Sequence, residues 1–123
     1  MELQDIHKEV LMLCADDDTG LWLVLRRICG DEYYFGTIPD WLRQKAMSII
    51  HDLLSDGLIE AGNFEGEVSG KYKFVPMLLP ADEITKFIEQ EWNDLGKTPN
   101  MGDVCWFRAT EFGEKLAKEF KDF

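Results

Sequence analysis

The stretch from Leu42 to Gly62 constrains the fold more than any other part of the chain. Leu42, Ala46, Ile49, Ile50, Leu53 and Leu54 recur at the spacing of a helix with one apolar face. Thr37-Ile38-Pro39-Asp40 reads as its start: Thr37 as the cap, Pro39 in the first turn, Asp40 where negative charge suits the N-terminus. Gly57 ends the helix, and Leu58-Ile59-Glu60-Ala61-Gly62 follows at once as a short strand. A glycine at that joint allows the left-handed backbone that turns a helix sharply into a strand. Leu58 and Ile59 then return apolar side chains to the helical core. A chain built this way mixes helices and sheet in one layer system, which is the α+β class.

The same periodicity places the other elements. Leu3, Ile6, Val10 and Leu13 mark an N-terminal amphipathic helix. Leu21 to Leu25 is apolar all round, so helix and buried strand both fit. As a helix it would carry Arg26 and Arg27 near its C-terminus and stop at Gly30. Asp31 to Gly36 reads as a polar-aromatic connector, and Asn63 to Gly70 as a turn-rich loop. Lys71-Tyr72-Lys73-Phe74-Val75 alternates as a strand. Pro80, Asp82 and Glu83 open a helix with Ile84, Phe87, Ile88 and Trp92 on one face. Lys97 to Gly102 is a loop, Val104 to Arg108 a strand, and Thr110 caps a final helix holding Phe112, Leu116, Ala117 and Phe120. No linker or repeat divides the 123 residues, so a single domain, 1–123, is expected.

"IIHDLLSDGLIEAG" resembles the last helix and first wing strand of winged helix-turn-helix domains, and "CWFRATEFGEKLAKEF" resembles the second wing strand running into a closing helix. The two come in the family's order and cover about a quarter of the chain. The resemblance implies a winged-helix-like helical core with a small antiparallel sheet. It departs from the family in two ways. Gly30 to Ile38 is longer than the usual tight turn between the two helices. About forty residues, including a helix, separate the two wing strands. In such a domain the helix from Trp41 to Ser55 would read DNA through Arg43, Gln44, Lys45 and Ser48, with Lys71 and Lys73 touching phosphates.

Charge pulls the other way. With 24 acidic residues against 13 basic ones the formal charge is −11, a field that repels nucleic acid and anionic membranes and speeds encounter with a basic protein. The acids concentrate at Asp16, Asp17 and Asp18, at Glu65 with Glu67, and at Glu89 with Glu91, which are the expected partner-binding residues. Asp16-x-Asp18 has the local look of an aspartate-nucleophile phosphotransfer motif. The cation, the phosphate-binding base and the parallel sheet that such chemistry needs have no counterpart in the sequence. The better reading is a helix-to-helix junction in which Asp18 or Thr19 caps the second helix.

Three cysteines, an odd number without CxxC spacing, read as buried reduced thiols. Two histidines without HExxH spacing suggest no metal site, and no cofactor motif is present. Of four tryptophans, Trp92 and Trp106 read as core, while Trp41, beside Asp40 at a helix start, reads as partly exposed. The acidic N-terminus and the lack of a run of roughly 18 apolar residues lead to a cytoplasmic expectation without membrane partners. The expected function is a non-enzymatic, acidic protein-binding module, most concretely an antitoxin or immunity-type inhibitor of a basic partner. The alternative is a winged-helix DNA-binding transcriptional regulator.

Overall fold

A computed structural model describes residues 3–66 and 72–121. Within these residues six helices and a four-stranded antiparallel sheet make an α+β fold. In chain order they are α1 (Asp5–Asp16), β1 (Thr19–Gly20), α2 (Leu21–Cys29), α3 (Asp31–Phe35), α4 (Asp40–Ser55), β2 (Ile59–Gly66), β3 (Tyr72–Pro76), α5 (Ala81–Leu95), β4 (Trp106–Ala109) and α6 (Glu111–Lys121). The sheet order is β1-β4-β2-β3.

The helix-to-strand joint forms as the sequence predicts. Gly57 takes φ 72°, its N–H donates to the Leu54 carbonyl, and the Leu58 N–H reaches back to Leu53. This double closure satisfies the last carbonyls of α4. The chain then pairs Ile59 with Ala109 and Ala61 with Phe107, and all four side chains are buried. Thr110 closes the far end: its hydroxyl donates to the Gly57 carbonyl at 2.6 Å and accepts the Gly113 N–H at 3.0 Å, capping α6. Gly113 lets α6 approach closely, because a Cβ there would collide with the Leu58 carbonyl. Leu11, Leu21, Leu25, Ile50, Leu53 and Phe107 form the solvent-free centre of the core.

Several expectations are corrected. The junction after the aspartates is not a bare helix-to-helix turn, since Thr19 and Gly20 pair with Phe107 and Trp106 as β1. Neither Asp18 nor Thr19 caps α2. Gly20 holds the N-cap position without a side-chain bond, and the Thr19 hydroxyl instead donates to the Leu13 and Asp17 carbonyls. Strand pairing holds the Thr19 backbone extended, and the acceptors within its reach are the free carbonyls at the end of α1. Thr37 does not cap α4 either, because Pro39 occupies the N-cap with no side-chain bond. Of the two readings left open for the segment from Leu21, the helix is the one formed, Leu21–Cys29 with its stop at Gly30, whereas the expected connector after it contains the short α3. The expected loop at Asn63 is strand through Gly66. Glu67 and Lys71 lie outside the described residues.

The strand β4 is entered through a tight three-residue turn. The Cys105 N–H donates to the Asp103 carbonyl at 3.0 Å, and Val104 between them stands at φ 73°. A branched side chain seldom occupies that region, so the turn stores strain.

A polar pair between the buried His7 and the half-buried Asp52 ties α1 to α4. His7 Nε2 lies 2.9 Å from Asp52 Oδ2, and His7 Nδ1 accepts the Gln4 N–H at 3.1 Å. No helix among the described residues is long and apolar enough to cross a membrane.

Candidate functional site

The polar face of α4 is partly covered. Helix α5 packs against α4, and Ile84, Ile88 and Trp92 are its buried residues. Arg43, the first residue expected to read DNA, is half-buried. Its guanidinium lies 4.3 Å from the Trp92 ring centroid, and Nη2 donates to the Glu89 carbonyl at 3.1 Å. His51 Nε2 is 2.5 Å from Asp82 on α5. Gln44, Lys45 and Ser48 remain exposed along one stripe of the helix. Lys73 is exposed on β3, directly across the ladder from Glu65.

The expected acidic residues lie on separate elements. Asp16 is ion-paired with Lys121 of α6. The Asp17 carboxylate accepts the Asp18 N–H at 2.8 Å, a local turn bond at the exposed end of α1. Glu65 stands on β2. Glu89 and Glu91 are both half-buried on α5, two residues and so about 200° apart around the helix. Among the described residues no three His, Cys, Asp or Glu side chains are placed to hold a metal ion.

A more coherent surface forms where α3 meets the start of α4. Gly30, at φ 85°, ends α2 and starts α3 in a conformation that suits glycine. Within α3 the Tyr34 side chain turns inward, and its hydroxyl donates to the Pro99 carbonyl at 2.8 Å. Burial pushes the Tyr34 phenol above its ordinary pKa, so it stays a neutral donor. With Tyr34 anchored, its neighbours point outward. Tyr33 meets Trp41 edge to face, with centroids 6.2 Å apart and planes at 82°. Tyr33 is 41% exposed and Trp41 60%. Phe35, more exposed still, is held under the Arg26 guanidinium, which is itself bonded to Asp31. Asp31, Glu32 and Asp40 are exposed on the same two helix starts.

Beside this shoulder a cleft of about 470 Å³ opens between the chain from Gly36 to Arg43 and the end of α5. Arg43, Asp40, Asn93, Lys97, Thr37 and Thr98 supply its polar lining. It continues into a hollow of about 250 Å³ between Asp40, Gln44 and Glu89.

The exposure of Trp41 follows from its position at a helix start beside an acid. Tyr33 and Lys97 give no such sign, because a five-residue helix and a loop carry no readable period. No family model, curated protein or solved structure matches the chain.

Proposed function

We propose that this chain is a non-enzymatic protein-binding module that docks a basic partner, with an antitoxin or immunity-type inhibitor as its most concrete form. The observation that carries the reading is the exposed Tyr33–Trp41 pair bordered by Asp31, Glu32 and Asp40. Tyrosine and tryptophan are the side chains most often found as interface anchors, and their rings attract the cations of lysine and arginine. The chain's charge of −11 speeds the approach of such a partner. Asp16, Asp17, Asp18, Glu65, Glu67, Glu89 and Glu91 act in this reading through the long-range field, and the aromatic pair makes the close contact.

The test uses co-purification from the native cell, followed by reconstitution with the purified partner. Trp41→Ala and Tyr33→Ala should each weaken the complex by roughly tenfold or more. The association rate should fall steeply with added salt. Unchanged affinity in both variants would remove this surface from the reading, and failure to reconstitute any protein complex would remove the reading itself.

A second reading is a winged-helix DNA-binding regulator. It is supported by the order of elements: helix, short strand, three further helices of which α3 is a five-residue piece, then a strand whose returning partner β4 lies between it and β1. On this reading β3 and α5 are insertions in the wing. Gln44, Lys45 and Ser48 are the exposed residues left to read bases, while Arg43 and His51 are already engaged. A mobility shift on the protein's own promoter at low salt, lost in Lys45→Ala with Gln44→Ala, supports it. No shift at low salt defeats it.

A further inference from the structure

We propose that the cleft between Gly36–Arg43 and Trp92–Thr98 binds a carboxylate that carries an N–H donor beside it, the chemistry of a peptide's C-terminus or of an N-acylated amino acid. The inference does not depend on the basic-partner reading.

Arg43 is the fixed point of the site. The Trp92 ring and the Glu89 carbonyl, both on α5, hold the guanidinium in one orientation. A guanidinium has five N–H donors in a planar fork, and the bond to Glu89 uses one of them. Arg43 forms no ion pair among the described residues, although the chain has nearly two acids for each base. It lines the 470 Å³ cleft and the hollow next to it. Lys97, exposed and also without an ion pair among the described residues, faces the same cleft. A planar fork with an ammonium nearby suits a carboxylate, which can accept two parallel bonds from the arginine. Asn93, Thr37 and Thr98 add neutral donors.

Asp40 narrows the ligand class. It lines both hollows, so one acid stands beside two bases in the cleft. An ionised carboxylate only accepts hydrogen bonds. It favours a ligand with a donor and disfavours one that is acceptor all round, such as phosphate. A carboxylate at Arg43 and Lys97 with an adjacent N–H directed to Asp40 satisfies all three charges.

The experiment is a titration of the full-length ¹⁵N-labelled protein with N-acetylalanine, its methylamide, an acetylated tripeptide acid and inorganic phosphate. Saturable shifts at Gly36, Gly96 and the Trp92 indole are expected with the two acids and not with the methylamide. Phosphate should bind at least roughly tenfold more weakly. Tighter binding of the tripeptide acid identifies a peptide end as the ligand, and equal binding identifies the acylated amino acid. Lys97→Gln, at an exposed site that leaves the fold alone, should weaken binding about tenfold, and Arg43→Lys should abolish it by removing the fork. The proposal is overturned by equal shifts with the methylamide, by equal or tighter phosphate binding, by no shift with either acid, or by unchanged affinity in Lys97→Gln.

Discussion

Trp106 lies directly across the sheet from Gly62, and the space a side chain would fill at that glycine is taken by the Val75 carbonyl and the Phe74 ring. The same arrangement recurs on the other side, where Trp106 faces Gly20 and the Trp22 ring occupies the vacancy. Two glycines thus leave room for aromatic rings on the Trp106 face of the sheet. Trp22 and Phe64 both meet it edge to face, at 5.1 and 5.3 Å, and Phe64 continues to Phe74 at 5.6 Å. Arg108 stacks over Phe74 at 4.2 Å and bonds Glu60 on the neighbouring strand. This row covers the sheet face opposite Ile59, Ala61 and Phe107, with Trp22 contributed by the start of α2.

Gly62→Ala should therefore destabilise the protein by about 1–3 kcal/mol, the usual cost of overpacking. The new methyl would press on the Val75 carbonyl and the Pro76 backbone, which cannot swing away as a side-chain tip can. Urea unfolding followed by tryptophan fluorescence reads both the midpoint and the disturbed Trp106. An unchanged midpoint would mean that the β2–β3 pairing adjusts freely.

The buried His7 gives a second prediction. Its Nδ1 accepts the Gln4 N–H, so the neutral ring carries its proton on Nε2 and donates to Asp52. Asp52→Ala leaves that donor buried without a partner and should cost about 1–3 kcal/mol. Asp52→Asn keeps an acceptor oxygen and should cost less. Long-range ¹H–¹⁵N spectra of the imidazole should show the Nε2–H form in the wild type, and the opposite tautomer would refute the arrangement.

These pairs also mark the limit of what the sequence makes legible. The helices around Leu42–Leu54 and Ile84–Trp92 declare themselves, because each carries a long apolar period along one face. The glycine at 57 and the threonine at 110 are legible because their local chemistry dictates a turn and a cap. Thr19–Gly20 is not, since a two-residue strand is created wholly by its partner β4. Arg43 looks like a groove-reading base in sequence. Its actual neighbours, Glu89 and Trp92, are more than forty residues away and reach it only because α5 folds back onto α4. The acidic triplet is equally ambiguous, as Asp16 acquires its partner from the last turn of α6.

The Arg43–Trp92 contact can be tested directly as the clasp of α5. Arg43→Met keeps an apolar stem and removes the charge and the bond to Glu89. A loss of about 1–2 kcal/mol is expected, the sum of a modest cation–π term and one hydrogen bond. Hydrogen exchange should quicken in α5 more than in α1 or α6, because the main packing of α5 is against α4. Equal acceleration throughout would show that α5 does not open separately.

The three thiols give the last prediction. Cys14, Cys29 and Cys105 are buried and free of disulfides. Burial pushes Cys14 and Cys105 up to about 12 and Cys29 up to about 11. Low dielectric disfavours the thiolate, so all three remain protonated and unreactive while the protein is folded. In the unfolded chain the thiols ionise near pH 8.5–9. Above that pH the unfolded state holds fewer protons than the native state, so stability falls as pH rises. The loss begins near the unfolded value and continues until the folded thiols themselves ionise. For Cys14 and Cys105 the slope is about 1.4 kcal/mol per pH unit for each thiol at full ionisation of the unfolded state. Urea midpoints between pH 8 and 10.5 should decline accordingly, and Cys14→Ser with Cys105→Ser should flatten the decline. A disulfide-exchange reagent should label the native protein no faster than it opens. Rapid labelling at pH 8 without denaturant, or a flat stability profile to pH 10.5, would contradict the buried, protonated assignment.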